Sequence, residues 1–160
     1  MRNFIYLALI LFLASCSPTN YFIVRHAEKE SNTMSSDVAL STEGKERAQA
    51  LQEMLGGHKI RYVYSTNFQR TRATAEPLAR FKGLTVQTYD PADSNFVTRI
   101  KHNGKGDVLI VGHSNTVDDI VNKLMGENII SDLSESQYGD LFVVQKKGVR
   151  FTMEKRHFGK

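Results

Sequence analysis

Two arginines and two histidines lie directly after short apolar runs of the chain. Arg25 and His26 follow one run, Arg70 lies just beyond a second, and His113 follows a third. A guanidinium group offers a planar fork of donors that suits phosphate oxygens, and a neutral imidazole is a good nucleophile toward phosphorus. These residue types predict phosphoryl transfer, if the fold brings the four side chains together.

The same cations would assist the reaction in two further ways. They lower the pKa of a neighbouring histidine, which keeps it neutral and reactive at pH 7, and they stabilise charge on the phosphoryl oxygens during in-line transfer. A helix beginning near Ser114 would add its backbone amides and its dipole. The five histidines are not at ligand spacing and the chain has one cysteine, so we expect no metal and no cofactor.

The elements that must position these residues follow from the pattern of apolar residues. Strands are predicted at residues 21–25, 61–65, 84–88 and 107–111, and helices at 41–55, 68–81, 92–102 and 115–124. Strands at 141–145 and 149–153 are predicted to form a hairpin. Pro77 is expected to kink or divide the helix at 68–81.

Strands that alternate with helices predict an α/β fold. We expect a three-layer, open and mostly parallel sheet with helices on both faces and the C-terminal β-hairpin at one edge. Sheets of this kind bind ligands at the carboxyl ends of their strands. The two arginines and two histidines would therefore meet in one crevice.

Length and composition limit the function further. A chain of 160 residues is the size of one domain, and 41% hydrophobic with 24% charged residues indicates a globular protein. The net charge of +4 is spread along the chain, with no Lys/Arg stripe interleaved with aromatic residues. Binding to nucleic acid is therefore not expected.

The first residues have the features of a bacterial export signal. Arg2 precedes an apolar run at residues 4–14, which is shorter than the roughly 20 residues that span a bilayer. The run leads into Leu13-Ala14-Ser15-Cys16, which resembles the lipobox of bacterial lipoproteins. By that resemblance, residues 1–15 are a signal peptide, Cys16 is lipidated, residues 16–20 are a short tether, and residues 21–160 form the domain. We expect an exported, membrane-anchored protein facing the periplasm or cell surface; an ordinary secretory signal and an uncleaved anchor are the alternatives.

Four motifs of the chain, taken together, resemble those of the histidine phosphatase superfamily, the phosphoglycerate mutase-like group of branch 1. The resemblance runs from Tyr21 to the C-terminal hairpin. Ala27 replaces the glycine of the first signature, and this position asks for a backbone conformation that alanine tolerates. The matching segments are Arg25-His26-Ala27, then Asp37, Leu40, Ser41, Gly44 and Ala48, then Ser65, Arg70 and Thr74-Ala75, and finally Gly112-His113.

The resemblance implies a role for each matching residue. His26 would be the nucleophile that becomes phosphohistidine, Arg25 and Arg70 would bind the phosphoryl oxygens, and His113 would donate to the transferring group. Arg72 lies two positions from Arg70, and such side chains diverge on a helix. Only Arg70 is therefore expected to point into the site.

The proton for the leaving group needs a further residue. An alkyl alcohol leaves poorly unless it is protonated, and members of the group that act on alkyl esters often supply a carboxylate after the third strand. Asp90 directly follows the third predicted strand and is the first candidate for this general acid, with Glu28 and Asp93 next. Asn32 is a candidate phosphate contact, since some mutase relatives carry an asparagine there.

The expected function is metal-independent hydrolysis of a small or exposed phosphomonoester through a phosphohistidine on His26. The chain is too compact for the long lids of sugar-phosphate mutases, which favours hydrolysis. A protein-phosphohistidine phosphatase is the alternative within enzymes, because an imidazole leaves without an acid. A non-catalytic lipoprotein that binds phosphorylated ligands is the alternative from another class, although such a binder does not require His26.

Overall fold

The computed structural model describes residues 17–31 and 37–160. Residues 1–16, which include the predicted signal peptide and Cys16, and residues 32–36, which include Asn32, lie outside the described residues. In chain order the elements are β1 Thr19–Arg25, α1 Thr42–Leu55, β2 Ile60–Ser65, α2 Gln69–Phe81, β3 Val86–Thr88, α3 Phe96–Lys101, β4 Asp107–Gly112, α4 Val117–Met125, β5 Asp140–Lys147 and β6 Arg150–His157.

The strands form one sheet in the order β3-β2-β4-β1-β5-β6. The first four strands of that order pair in parallel, while β5 runs antiparallel to β1 and β6 antiparallel to β5. The predicted α/β sheet with a C-terminal hairpin at one edge is confirmed. Because β1 and β4 are adjacent, their carboxyl ends at Arg25 and Gly112 lie side by side.

Two apolar clusters cover the two faces of this sheet. Alternate residues of β1 point to opposite faces: Tyr21 and Ile23 pack with α3 and α4, whereas Phe22 and Val24 pack with α1 and α2. These four side chains are at most 1% exposed. The layers are therefore helix, sheet and helix, and the central strand is held rigidly from both sides.

Three predicted elements differ in detail from the structure. The last helix begins at Val117 instead of residue 115, because the Thr116 hydroxyl accepts a hydrogen bond from the His113 amide and holds residues 113–116 in a turn. β1 begins at Thr19, inside the predicted tether. α2 is continuous through Pro77. Within residues 17–31 and 37–160, no helix is long and apolar enough to cross a membrane.

Candidate active site

A crevice open to solvent lies at the carboxyl ends of β1 and β4. Its volume is about 410 Å³. The fold brings together here the two arginines and two histidines on which the sequence interpretation rests. The lining residues are Arg25, His26, Lys29, Phe68, Arg70, Pro91, His113, Ser114, Asn115, Thr116 and Glu135.

His26 is fixed by its backbone and by one ring nitrogen. It is 3% exposed, and its amide donates to the Gly112 carbonyl at 2.9 Å. Its Nδ1 lies 2.8 Å from the Ala27 carbonyl oxygen. That oxygen can only accept, so Nδ1 carries the ring proton and Nε2 keeps its lone pair.

The residue after His26 explains why alanine is acceptable there. Ala27 is fully buried, and its amide donates to the Thr74 hydroxyl of α2 at 3.0 Å. No non-glycine residue in the described part of the chain has a positive φ. The position therefore needs no glycine conformation, and α2 is tied to the loop that carries His26.

The pKa of His26 is lowered to about 3, mainly by burial and in smaller part by the charges of Arg25 and Arg70, while the hydrogen bond to the Ala27 carbonyl acts in the opposite direction. Burial and the positive charges both disfavour the imidazolium form. The cations alone were expected to lower this pKa, but desolvation is the larger contribution. His26 is consequently neutral at pH 7, with a lone pair available on Nε2.

His113 is oriented by a chain of hydroxyl groups behind it. Its Nδ1 lies 3.4 Å from Nη2 of Arg70, which can only donate, so Nε2 carries the ring proton and donates to the Thr66 hydroxyl at 2.9 Å. Thr66 in turn donates to the Thr71 hydroxyl at 2.9 Å. Burial, then Arg70 and Arg25, lower the pKa of His113 to about 4. The His26 and His113 rings meet edge to face with centroids 5.5 Å apart.

Arg70 reaches the crevice from the first turn of α2. Its guanidinium lies 4.5 Å from the centre of the Phe68 ring. The start of this helix is held by Asp37, whose carboxylate accepts from the Gln69 amide at 2.7 Å. Arg72 is exposed and does not line the crevice, which confirms that only one of the two arginines points inward.

Arg25 is held by the segment before β5. Its Nη1 donates to the Ser134 carbonyl at 2.9 Å, and its Nη2 to the Glu135 carboxylate at 2.8 Å. Its guanidinium also lies 4.5 Å from the centre of the Tyr138 ring. The buried Nε of Arg25 has no hydrogen-bond partner among the described residues. An anion in the crevice would satisfy such a donor.

Glu135 is a site residue that the sequence interpretation missed. Among the described residues, which include all 17 aspartates and glutamates of the chain, it is the one carboxylate that lines the crevice. It accepts from the Ser114 hydroxyl at 2.8 Å as well as from Arg25. The Ser114 hydrogen bond, then Arg25, lower the pKa of Glu135. The carboxylate occupies donors that a phosphoryl group would use.

The three carboxylates predicted as general acids do not line the crevice. Asp90 is exposed and accepts from the Ala92 amide at 2.9 Å, so its side chain is turned to its own loop beside the crevice. Glu28 pairs with Arg47. Asp93 pairs with Arg99 at 2.6 Å. The structure thus differs from the expectation for Asp90, because a short turn through Pro91 satisfies its carboxylate locally.

The other missed residues gave little signal in the sequence. Lys29 is a third cation of the lining, and Ser114 and Thr116 add hydroxyl groups. Glu135 lies in a polar stretch without periodicity between α4 and β5, where no local pattern indicates a partner. In the described part of the chain, no three His, Cys, Asp or Glu side chains come together as a group that could hold a metal ion.

The fold and this crevice define an α/β protein with a cationic site that suits an anionic group. The family model of the histidine phosphatase superfamily (branch 1) matches residues 21–91. Over these residues the chain resembles that superfamily. The matched region contains Arg25, His26, Arg70 and Asp90, while His113 and Glu135 lie beyond it.

Solved structures of phosphatases share the fold over nearly their whole length. The candidate phosphohistidine phosphatase SixA of Nakamurella multipartitia is 19% identical, with a TM-score of 0.64 over 90% of this chain and 96% of that one. The mycobacterial glucosyl-3-phosphoglycerate phosphatase is 15% identical, with a TM-score of 0.65 over 86% and 98%. A phosphoserine phosphatase mutant of Entamoeba histolytica is 12% identical, with a TM-score of 0.62 over 88% and 96%. No curated protein sequence matches the chain significantly.

Proposed function

We propose that this protein is a phosphatase that transfers the phosphoryl group of a phosphomonoester to Nε2 of His26 and then hydrolyses the phosphohistidine. One observation carries the proposal: the Nδ1–H of buried His26 is held by the Ala27 carbonyl, which leaves the Nε2 lone pair for a crevice that also contains Arg25 and Arg70. The match of residues 21–91 to the histidine phosphatase superfamily supports the same reaction class.

The reaction has two balanced steps. In the first, the Nε2 lone pair attacks phosphorus, the bond from phosphorus to the leaving oxygen breaks, and that oxygen takes up a proton. In the second, water attacks phosphorus and the N–P bond breaks. Its electron pair returns to Nε2, one hydrogen of the water stays with the phosphate, and the other returns to the group that protonated the leaving oxygen.

The residues around His26 would stabilise charge during both steps. Arg25 and Arg70 would neutralise the phosphoryl oxygens. A bound phosphoryl dianion would raise the pKa of His113 from about 4, because a nearby opposite charge favours the imidazolium. Protonated on Nδ1 as well, His113 could then donate to a phosphoryl oxygen while the Thr66 hydroxyl keeps its ring oriented.

Phosphoryl transfer to His26 is tested by brief incubation with a radiolabelled aryl phosphate and an alkaline quench. We expect a base-stable, acid-labile label on the wild-type protein that is absent from His26→Ala. The control is His102→Ala, an exposed histidine outside the crevice, which should keep the label. Phosphate release that is undiminished in His26→Ala would refute the proposed nucleophile.

The source of the leaving-group proton separates two candidates, Asp90 and Glu135. Phosphoryl binding would displace Glu135 from Arg25 and leave its carboxylate beside a dianion, which raises its pKa and allows it to carry a proton. In a series of esters with graded leaving groups, the variant that lacks the acid should lose kcat on alkyl phosphates and keep it on aryl phosphates. Comparing Asp90→Asn with Glu135→Gln assigns the role; equal losses on all esters would reject the acid.

Dephosphorylation of a protein phosphohistidine is the second candidate function. Two observations favour it: the crevice is open to solvent, and the acids predicted from the sequence lie outside its lining. An imidazole leaves phosphorus without a carboxylic acid, so neither Asp90 nor Glu135 would then be required. Hydrolysis of a phosphohistidine peptide at least as fast as an aryl phosphate, and unchanged in Asp90→Asn and Glu135→Gln, is the expected signature. A non-catalytic phospho-ligand-binding protein would instead bind phosphate without releasing it from any ester.

We also propose that the protein is exported and anchored to a membrane by lipid on Cys16. The support is the apolar run at residues 4–14 followed by Leu13-Ala14-Ser15-Cys16. Two or three acyl chains on one residue give stable anchoring. In a bacterial host grown with a labelled fatty acid, the label should appear on the wild-type protein and be absent from Cys16→Ser. An equal label on both would refute this anchor.

A further inference from the structure

The edge of the sheet opposite the crevice has an unusual surface. We call it the amino edge, because the parallel strands β1, β2 and β4 begin there, α1, α2 and α3 end there, and the β5–β6 turn lies beside the start of β1. Large apolar side chains are exposed at this edge. They are Met54, Phe81, Ile129 and Val149, which are 39, 62, 38 and 98% exposed and are the exposed large hydrophobic residues of the described chain.

These four positions come from separate parts of the sequence but from the same end of the molecule. Met54 and Phe81 lie in the last turns of α1 and α2. The Ile129 amide bonds to Asn122 in the last turn of α4, and Val149 is in the tight turn between β5 and β6. Exposed apolar residues scattered singly need no explanation, but these four lie at the same end of the molecule, where they could meet one interface together.

Cations surround these apolar residues. Five exposed lysines and arginines lie at the beginnings of β2 and β4 and beside the β5–β6 turn: Lys59, Arg61, Lys105, Lys147 and Arg150. None of these five side chains forms an ion pair with another described residue. The exposed carboxylates at this end are Glu53 and Glu127. Asp107 is 6% exposed and accepts from Asn20. The amino edge is therefore positive.

The chain that leads back to Cys16 leaves the domain at the same edge. Thr19, the first residue of β1, pairs with Lys146 at the end of β5. Cys16 precedes Thr19 by three residues, which at full extension span about 11 Å. An acyl anchor on Cys16 would thus hold the amino edge close to the lipid headgroups.

We propose that the amino edge docks on the anionic headgroups of the membrane that holds the anchor, with Val149 and Phe81 entering the interface. This inference rests on the proposed lipidation of Cys16 and extends it. Apolar side chains among cations are the combination that binds an anionic interface. Each cation near such a surface strengthens binding about fivefold.

Docking by this edge sets which substrates the protein can reach. The crevice lies at the other end of β1, whose seven residues span about 20 Å. The crevice then opens away from the bilayer, toward the aqueous phase. The substrate class is consequently a phosphomonoester that arrives from solution or on a partner extending about 20 Å from the membrane, and not a headgroup of the anchoring leaflet.

The test uses the full lipidated chain in vesicles of phosphatidylglycerol and phosphatidylcholine that carry bromine on the acyl chains. The natural sequence has no tryptophan, so Val149→Trp introduces a single indole at the amino edge. The matched control is Asn95→Trp, an exposed position at the start of α3 on the crevice side. We expect bromine to quench the indole of Val149→Trp and to leave that of Asn95→Trp unquenched.

A charge-removal variant tests the electrostatic part. Lys105→Gln, Lys147→Gln and Arg150→Gln together should weaken docking about a hundredfold, and quenching at Val149→Trp should fall, as it should in vesicles of phosphatidylcholine alone. The rate at which the vesicle-bound variant hydrolyses a soluble aryl phosphate should stay unchanged, since the three substituted residues are about 20 Å from the crevice.

Three results would overturn the docking. They are an unquenched indole in Val149→Trp, equal quenching at both positions, and quenching that does not depend on the cations or on phosphatidylglycerol. Binding of the amino edge to duplex DNA or to an acidic protein, with no contact to vesicles, would reassign it to another partner. Mass spectrometry separates this inference from the anchor itself: an unacylated protein refutes the anchor, whereas an acylated protein with an unquenched indole refutes only the docking.

Discussion

The buried, neutral state of His26 makes the stability of the protein depend on pH in a defined direction. The folded protein binds a proton at His26 with a pKa of about 3, whereas an unfolded chain binds it near pH 6.5. Because the pKa is lower in the folded state, protons favour the unfolded state. Stability is therefore fully present above pH 6.5 and is lost as the pH falls from 6.5 toward 3.

The magnitude follows from the difference between the two states. Between pH 7 and pH 5 the unfolded state goes from about one quarter protonated to almost fully protonated at this position, whereas the folded state gains almost no proton. One pKa unit corresponds to 1.36 kcal/mol, so His26 alone should lower the free energy of unfolding by about 2 kcal/mol over this interval. This loss of about 2 kcal/mol is the same for any pKa of His26 in the folded state that lies well below 5.

The perturbation is His26→Gln, which removes the titration and keeps a polar side chain of similar length. Urea unfolding followed by far-ultraviolet circular dichroism gives the free energy of unfolding at both pH values. The wild-type protein should lose about 2 kcal/mol more than His26→Gln between pH 7 and pH 5. His102→Gln, at an exposed histidine, should keep the wild-type pH dependence. The reasoning fails if wild type and His26→Gln lose the same stability.

Two further predictions concern residues that support the site. Thr66→Val removes the hydroxyl that accepts from Nε2 of His113, so kcat should fall about tenfold, with recovery in Thr66→Ser; an unchanged kcat would show that the hydroxyl does not orient the ring. Gly44→Ala would place a Cβ 2.2 Å from the Glu28 carbonyl oxygen and should cost about 2 kcal/mol of stability. The matched Gly57→Ala, with open space around it, should change stability by less than about 0.5 kcal/mol, and similar effects at both glycines would contradict this account.

The arrangement around Arg25 has a chemical consequence for ligand binding in the crevice. Glu135 pairs with Arg25 and with Ser114, so a phosphoryl group must replace a carboxylate before it can use these donors. The Glu135 side chain is 73% exposed and that of Arg25 is 3% exposed, which means that the glutamate can move into solvent while the arginine stays. If the displaced carboxylate stays beside the phosphoryl group, Glu135 is, with Asp90, one of the two candidate proton donors.

The sequence by itself determined the elements and the four central side chains of the crevice. Periodic apolar residues specify a strand or helix locally, and Arg25, His26, Arg70 and His113 were identifiable because each follows such an element at a recognisable spacing. The helix that ends at Leu55 and the hairpin at the C-terminus were predicted for the same reason. Their placement at one end of the sheet follows from parallel pairing of β1, β4 and β2.

Only the tertiary structure decided what surrounds these side chains. Glu135 is 110 residues from Arg25 in the chain, and no local pattern links them. The carboxylate of Asp90 could not be assigned from the sequence, because a turn two residues long satisfies it. The low pKa of His26 depends mainly on burial, which arises from packing of both faces of the sheet. Likewise, Val149 and Phe81 are distant in the sequence, and only the crossovers between the parallel strands and the hairpin bring them to the edge where β1 begins.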